Sequence, residues 1–287
     1  MTTTSEQGAR SREVTAPGVG SRTAGAPPGP SRRPLERWGV ASLVVLLVVW
    51  SVTGTGVGPG SLIAGREEGL RLLRGFLRPD LSPEFLAYVA RAGVQTLQIS
   101  LAGLALGVLA GLPLAALLAR NVAASAAVRA AVRVVATILR GVPELLWALV
   151  FVATVGLGPA AGVYAIALHG AGLLAKLCAE QLEAVDPAPV EALQLSGAPR
   201  SATAVFAIFP QARAGVVSLV LYQWECNIRT ATVVGFVGAG GIGQALDISL
   251  RLFRYQELST LVLAVLALIL VVDAVSRAVR RRLGAAA

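Results

Sequence analysis

From Val94 to Ala119 the chain runs apolar without a charge, longer than the roughly 20 residues a helix needs to cross a hydrocarbon core about 30 Å thick. A second run, Leu145 to Ala167, is broken only by a Gly-Pro step, and a third, Leu258 to Val272, reaches membrane length with its flanks. Shorter or mixed runs lie at Gly39 to Val52 and Ala214 to Phe236. The pattern predicts an all-α polytopic membrane protein with about six transmembrane helices, the third and fourth meeting near Gly156 to Pro159.

Polar stretches divide the chain between these runs. Residues 1–34 combine Pro, Gly, Ser, Thr and Arg with almost no large apolar side chain, so they cannot offset the entropy of ordering and read as a disordered cytoplasmic tail. A transmembrane helix is expected over 35–53. An external loop with an amphipathic helix, "REEGLRLLRGFL", follows over 54–92, and a helical core over 93–282. With about 38 polar residues before the first apolar run, no cleavable signal peptide is expected, and that run should stay as an anchor.

Within the core, Gly103, Gly107 and Gly111 recur every fourth residue, a spacing that lets two helices approach closely in lipid. The alternative is that membrane helices merely tolerate glycine. Arg129 and Arg133 stand one turn apart on an alanine-rich helix that Arg140-Gly141-Val142-Pro143 should break, because proline lacks a backbone donor and disfavours helix at the residue before it. A fourth crossing over Pro159 to Val185 carries Lys176 and Glu180 as an i, i+4 pair.

Composition agrees with the pattern: 55% of residues are hydrophobic and 14% charged, against about 25% charged in soluble domains. The net charge of +9 would suit nucleic acid, but its placement does not. Arg10, Arg12, Arg22, Arg32, Arg33 and Arg37 precede the first crossing, and Arg277, Arg280, Arg281 and Arg282 follow the last, as expected of cytoplasmic ends. Both termini are therefore expected in the cytoplasm of a multi-pass membrane protein, with a lipid bilayer and no nucleic acid as partner. Arg66, Arg71, Arg74, Arg78 and Arg91 run against this rule, partly offset by Glu67, Glu68, Asp80 and Glu84.

The chemistry-bearing residues exclude several functions. Gly238, Gly240 and Gly243 have the spacing of a dinucleotide cradle, yet they follow a membrane-length run, and Asp247 and Glu257 stand at the wrong distance for the ribose. A single histidine, His169, and two separated cysteines, Cys178 and Cys226, give no metal site and no catalytic triad, so neither catalytic nor metal residues are assigned. The cysteines read as buried free thiols. His169 reads as a neutral ring bonded to a neighbouring helix, or else as a proton relay. Lys176, the only lysine, does not follow a phosphate-binding loop, so no cofactor is expected in this chain and any ATP must be hydrolysed by a separate one.

Between the fourth and fifth crossings lies "DPAPVEALQLSGAPRSATAVFAIFPQ", residues 186–211. Asp186 suits a helix cap, Pro187 the first helical position, and Gly197 the left-handed residue that ends a helix. A second helix is expected from Ala198-Pro199, with Pro210 at the start of the next crossing. The result is two short helices joined at a glycine.

Glu191-Ala192, Gly197 and Pro210 resemble the EAA loop of ABC importer permeases in residue type and spacing, with Leu193 at the third position of the triplet and Ala207-Ile208-Phe209-Pro210 as its ending. The stretches 139–152, 156–180, 190–198 and 224–246 resemble the phosphonate branch of that family, whose glycine run the methionine branch shares. The resemblance implies the permease fold of type I ABC importers. It also implies two copies of the chain, two ABC ATPase subunits whose groove receives the EAA loop, and an extracytoplasmic phosphonate-binding protein. ATP binding would close the ATPases and switch the helices from inward-facing to outward-facing. The expected cargo is a phosphonate or a related oxyanion such as phosphite, with methionine or another small solute as the alternative.

For the solute path the expected residues are Glu225, Asn227, Arg229, Gly238, Gly240, Gly241 and Glu144, with Trp147 beside the last. Glu225 and Arg229, four residues apart, are expected to form a structural ion pair, or Arg229 to pass the anion with help from Asn227. The glycine run is expected to be a hinge or packing turn, or to offer N–H groups to a phosphonate oxygen. From another class, a proton-coupled carrier would use His169, Lys176, Glu180, Glu225 and Arg229. A membrane enzyme lacks a nucleophile and base.

Overall fold

The computed structural model describes residues 33–55, 66–123 and 125–282, and every regular element among them is a helix. The chain divides into two units, Met1–Ala64 and Gly65–Ala287. In the first, the described part is helix α1 (Arg33–Thr55), whose segment Trp38–Thr55 is apolar and long enough to cross a membrane. The hydroxyls of Thr53 and Thr55 donate to the carbonyls of Val49 and Ser51, so neither enters lipid unsatisfied. The expected tail lies outside the described residues up to position 32, and its last two residues begin α1.

The second unit holds α2 (Arg66–Phe76), α3 (Pro83–Leu118), α4 (Ala126–Gly141), α5 (Glu144–Val155), α6 (Pro159–Glu183), α7 (Pro187–Leu195), α8 (Arg200–Thr203), α9 (Phe209–Val234), α10 (Gly241–Arg251) and α11 (Tyr255–Arg282). A wide π-helical turn, Ala204–Ile208, precedes α9, and Gly235–Ala239 follows it with the backbone leaving the helix at Val237 and Gly238. Helix α3 starts ten residues before the expected position 93, inside the stretch read as loop. Asp80 Oδ1 accepts the Ser82 N–H at 2.9 Å, Pro83 occupies the first turn, and Glu84 faces the positive end of the helix dipole, all of which favour a start there.

The glycine stripe packs as its spacing predicts. Gly103, Gly107 and Gly111 are buried against α6, where a Cβ on Gly103 would come 2.7 Å from Ile166 Cγ2 and one on Gly111 3.0 Å from the Ala171 carbonyl oxygen. Around this seam, buried Leu118, Leu174, Cys178, Leu182 and Ile208 form an apolar core toward one end of the bundle, and Val89, Ile242, Leu258 and Leu261 form another toward the opposite end. Large side chains such as Leu109, Leu149, Leu266 and Leu270 stay exposed, as a lipid-facing surface requires.

The third crossing is not straight: α4 and α5 meet at 86°. Proline at 143 leaves the Leu139 carbonyl without its helical donor, and the Trp147 indole N–H takes that place at 3.1 Å. At 16 and 12 residues, neither helix spans a bilayer alone. Together they lead from the end where the Arg120 N–H bonds Glu183 to the end where the Gly158 N–H bonds the Gly238 carbonyl. Counted as one broken span, they join five long helices to give six membrane-length elements among the described residues.

Candidate functional site

Four groups of expected residues are built differently. At one end of the bundle, Asp186 Oδ1 accepts the Ala188 N–H at 3.0 Å and starts α7, with Pro187 in its first turn. Helix α7 stops at Gly197, whose φ is 84°. The Gly197 N–H bonds the Gln194 carbonyl at 3.0 Å and the Ala198 N–H bonds that of Leu193 at 3.1 Å, the paired bonds of a left-handed helix stop. A Cβ on Gly197 would meet nothing within 4 Å, so glycine serves the backbone angle alone. Glu191 and Ala192 are exposed, while Leu193 packs against the core of Leu118, Leu182 and Ile208.

The second arm differs from the short helix expected. Helix α8 passes through the π turn into α9, so the chain is helical without a break from Arg200 to Val234, a rod about 50 Å long at a rise of about 1.5 Å per residue. Pro210 lies inside this rod rather than at its start. The wide turn just before it accommodates a residue that has no N–H and whose ring crowds the carbonyl four residues back. Gln211 ties the two arms together: its Oε1 accepts the Asp186 N–H at 3.2 Å, and its Nε2 donates to the Ala207 carbonyl at 2.9 Å.

At the far end of the rod the chain reverses through Gly238, Gly240 and Gly241, with φ of 92°, 84° and 69°. Helix α10 then packs back on α9 so closely that a Cβ on Gly235 would come 2.6 Å from Gly243 Cα, and one on Gly243 would overlap the Thr232 carbonyl oxygen. Two N–H groups at this turn, expected to be open to an anion, are taken. Gly241 donates to Gln95 Oε1 and Ile242 to Thr96 Oγ1, each at 2.9 Å. The run is a packing turn anchored on α3, and it follows a helix, not the strand a dinucleotide cradle needs.

The third group surrounds the α4–α5 break. His169 Nδ1 lies 3.1 Å from the Val142 carbonyl, which can only accept, so Nδ1 carries a proton. Its Nε2 then faces Glu144 Oε2 at 3.9 Å, and Glu144 Oε1 accepts from Thr230 Oγ1 at 3.5 Å. Glu144 thus sits in a polar knot that joins α5, α6 and α9. Lys176 Nζ pairs with Glu180 at 3.7 Å as the sequence suggests, and both side chains are exposed.

The expected Glu225–Arg229 pair is not made. Glu225 Oε1 instead accepts from Arg280 Nη2 of α11 at 2.7 Å, both side chains being largely buried. Arg229 points to the exposed side of α9, its Nη2 3.5 Å from Cys226 Sγ. Residue 225 lies on the side of α9 that meets α11, whereas Arg229 lies on the exposed side. Asn227 is buried, accepts from Gln223 Nε2 at 2.9 Å and reaches the Ser100 carbonyl at 3.4 Å, so it clamps α9 to α3. Among the described residues no three metal-ligating side chains converge.

Three residues outside the expected set prove central: Gln95, Thr96 and Arg280. The first two left a signal in the sequence, as polar side chains inside an apolar run. Arg280 left none, being one basic residue among several at a helix end.

Comparison with known proteins follows this geometry. Residues 107–285 match the family described as binding-protein-dependent transport system inner membrane component. The phosphite transport system permease protein PtxC of Stutzerimonas stutzeri is 39% identical over 83% of this chain and 85% of that protein. A second phosphite transport system permease protein from the same organism, HtxC, named there as putative, is 36% identical over 70% and 71%. An inward-facing structure of the MetNI methionine ABC transporter superposes with a TM-score of 0.64 at 20% identity, over 71% of this chain and 99% of that one, a likeness of fold. The chain belongs to the family of inner-membrane components of binding-protein-dependent transport systems.

Proposed function

We propose that this chain is the membrane-spanning subunit of an ATP-driven importer for phosphite, phosphonates or closely related phosphorus oxyanions. The observation that carries the mechanism is the helix pair at residues 186–211: a capped, surface-exposed α7 that stops at Gly197, followed by α8, which is continuous with the long helix α9. Such a pair is a lever. A motor that holds Glu191 and Ala192 moves the rod, because Leu193 and Gln211 fasten α7 to its base.

The rest of the machine follows from the same reading. The lever end faces the cytoplasm together with Arg281 and Arg282, a separate ATPase hydrolyses ATP, a second copy of this chain completes the path, and a binding protein delivers solute at the glycine-turn end. The likeness to phosphite permeases supports the choice of cargo over methionine.

The test is uptake by proteoliposomes that hold the permease with its ATPase and binding protein. ATP-dependent import of phosphite or methylphosphonate, unaffected by excess methionine, is expected. Import of methionine with phosphorus compounds ignored overturns the cargo, and import that survives without ATP but collapses with the proton gradient overturns the mechanism.

A further inference from the structure

Arg129, Arg133, Thr137 and Arg140 follow one another at helical spacing and form one stripe of α4. Part of this stripe faces α6 across a cavity of about 270 Å³, several times the roughly 30 Å³ of a water molecule. Arg120, Arg133, Arg140 and Lys176 line it, with Glu180 and Glu183 as the acidic members. Both carboxylates are engaged: Glu183 accepts the Arg120 backbone N–H at 2.7 Å, and Glu180 stands by Lys176. Neither Arg133 nor Arg140 has an ion pair among the described residues, so four cations against two carboxylates leave the cavity positive.

Depth makes this surplus informative. A Cβ on Gly172 would lie 2.7 Å from the Arg140 backbone nitrogen, so Arg140 stands beside the middle of α6. By the helical rise this is about 16 Å from the α6 end at Glu183, farther than one side chain spans. From that backbone position the part-exposed Arg140 side chain enters the cavity that Arg120 and Glu183 also line, and cationic groups along a membrane-spanning face are costly unless water or an anion meets them. Guanidinium forks match the oxygens of a tetrahedral phosphorus acid two at a time, and an ammonium adds a point charge. The nearby carboxylates weaken the hold, as a site that must release its occupant requires.

We infer that the α4–α6 cavity binds a phosphorus oxyanion, with Arg133 and Arg140 as its donors and Lys176 as the third charge. This rests on the importer reading, in which the cavity lies on the cytoplasmic half of the exit route. Two sources share the chemistry, the transported solute and the phosphate of a lipid headgroup, and the position of the Arg140 backbone beside the middle of α6 favours the solute.

The test uses the full permease–ATPase complex in phosphatidylcholine nanodiscs and reads saturation-transfer NMR on the methyl protons of methylphosphonate. A signal that phosphite displaces is expected, reduced at least fivefold in Arg133→Gln/Arg140→Gln and in Lys176→Gln/Arg133→Gln, and unchanged in Arg282→Gln at the exposed end of α11. Co-purification of the ATPase reports that each variant is folded. If phosphatidylglycerol in the nanodisc abolishes the wild-type signal, the occupant is a lipid phosphate; if it does not, the occupant is the solute. A signal unchanged in both double variants overturns the site even where phosphite uptake is normal. A wild-type complex that binds methylphosphonate through these arginines yet imports no phosphorus compound overturns the cargo and leaves the site standing.

Discussion

The two ends of the helical unit use glycine for opposite reasons. At Gly197 the backbone needs a left-handed angle and the surroundings are empty, so the surface of α7 stays clear. At the other end, Gly235 and Gly243 leave no room for a methyl group, and Gln95 and Thr96 hold the start of α10. Contacts of the second kind make a fixed end. The first kind makes a stiff projection whose exposed residues await a partner. Motion driven from outside should therefore enter at the Gly197 end and pivot on the glycine-turn end.

The strongest way to break this contrast is Gly243→Ala. Its methyl group meets a backbone carbonyl that cannot swing aside, so a loss at or above the about 1–3 kcal/mol typical of overpacking is expected, read as a lower melting temperature and poor yield of the purified complex. A wild-type melt would show that the glycine end is not locked.

Midway along the rod, Glu225→Gln or Arg280→Gln strands a charge that is about one-sixth exposed, which costs up to about 3–5 kcal/mol in a dry interior and less here. The double variant should recover most of the melting temperature. Failure to recover would mean that the two side chains act separately.

Smaller still, Thr96→Val leaves the Ile242 N–H buried without its acceptor, at a cost of about 1–3 kcal/mol. Uptake per folded complex should stay unchanged, because this bond holds the fixed end. If uptake falls while the melt is normal, the glycine end takes part in the stroke.

Gly197→Ala sharpens the other side. Left-handed backbone costs about 1–2 kcal/mol for a residue with a Cβ, which the chain can relieve by shifting α7. Expected are near-normal yield and melting, weaker ATPase co-purification and reduced uptake, with Gly197→Asn closer to wild type. Normal coupling in Gly197→Ala would remove the lever. The smallest effect belongs to Arg229→Ala, within about 0.5 kcal/mol as for other exposed sites, with uptake kept. Lost uptake in a well-assembled Arg229→Ala complex would return this residue to the solute path.

Much of the fold was legible in the order of residues because the signals are local. Run length set the number of crossings, Asp186-Pro187 and Gly197 marked the ends of α7, Pro143 marked the break, and the glycine stripe marked the seam between α3 and α6. Each depends on a residue and its neighbours within a turn or two, where helix geometry dictates what meets what.

The partners across helices were a matter of packing. Glu225 has Arg229 one turn away, yet it bonds Arg280, 55 positions on, and Gly241 bonds Gln95 from 146 positions away. A side chain on a packed helix has neighbours on several others, and small rotations of the helix choose among them. Such choices follow from how all the helices fit at once, so the pivot, the buried charge pair and the cationic cavity emerge only when the helices are assembled.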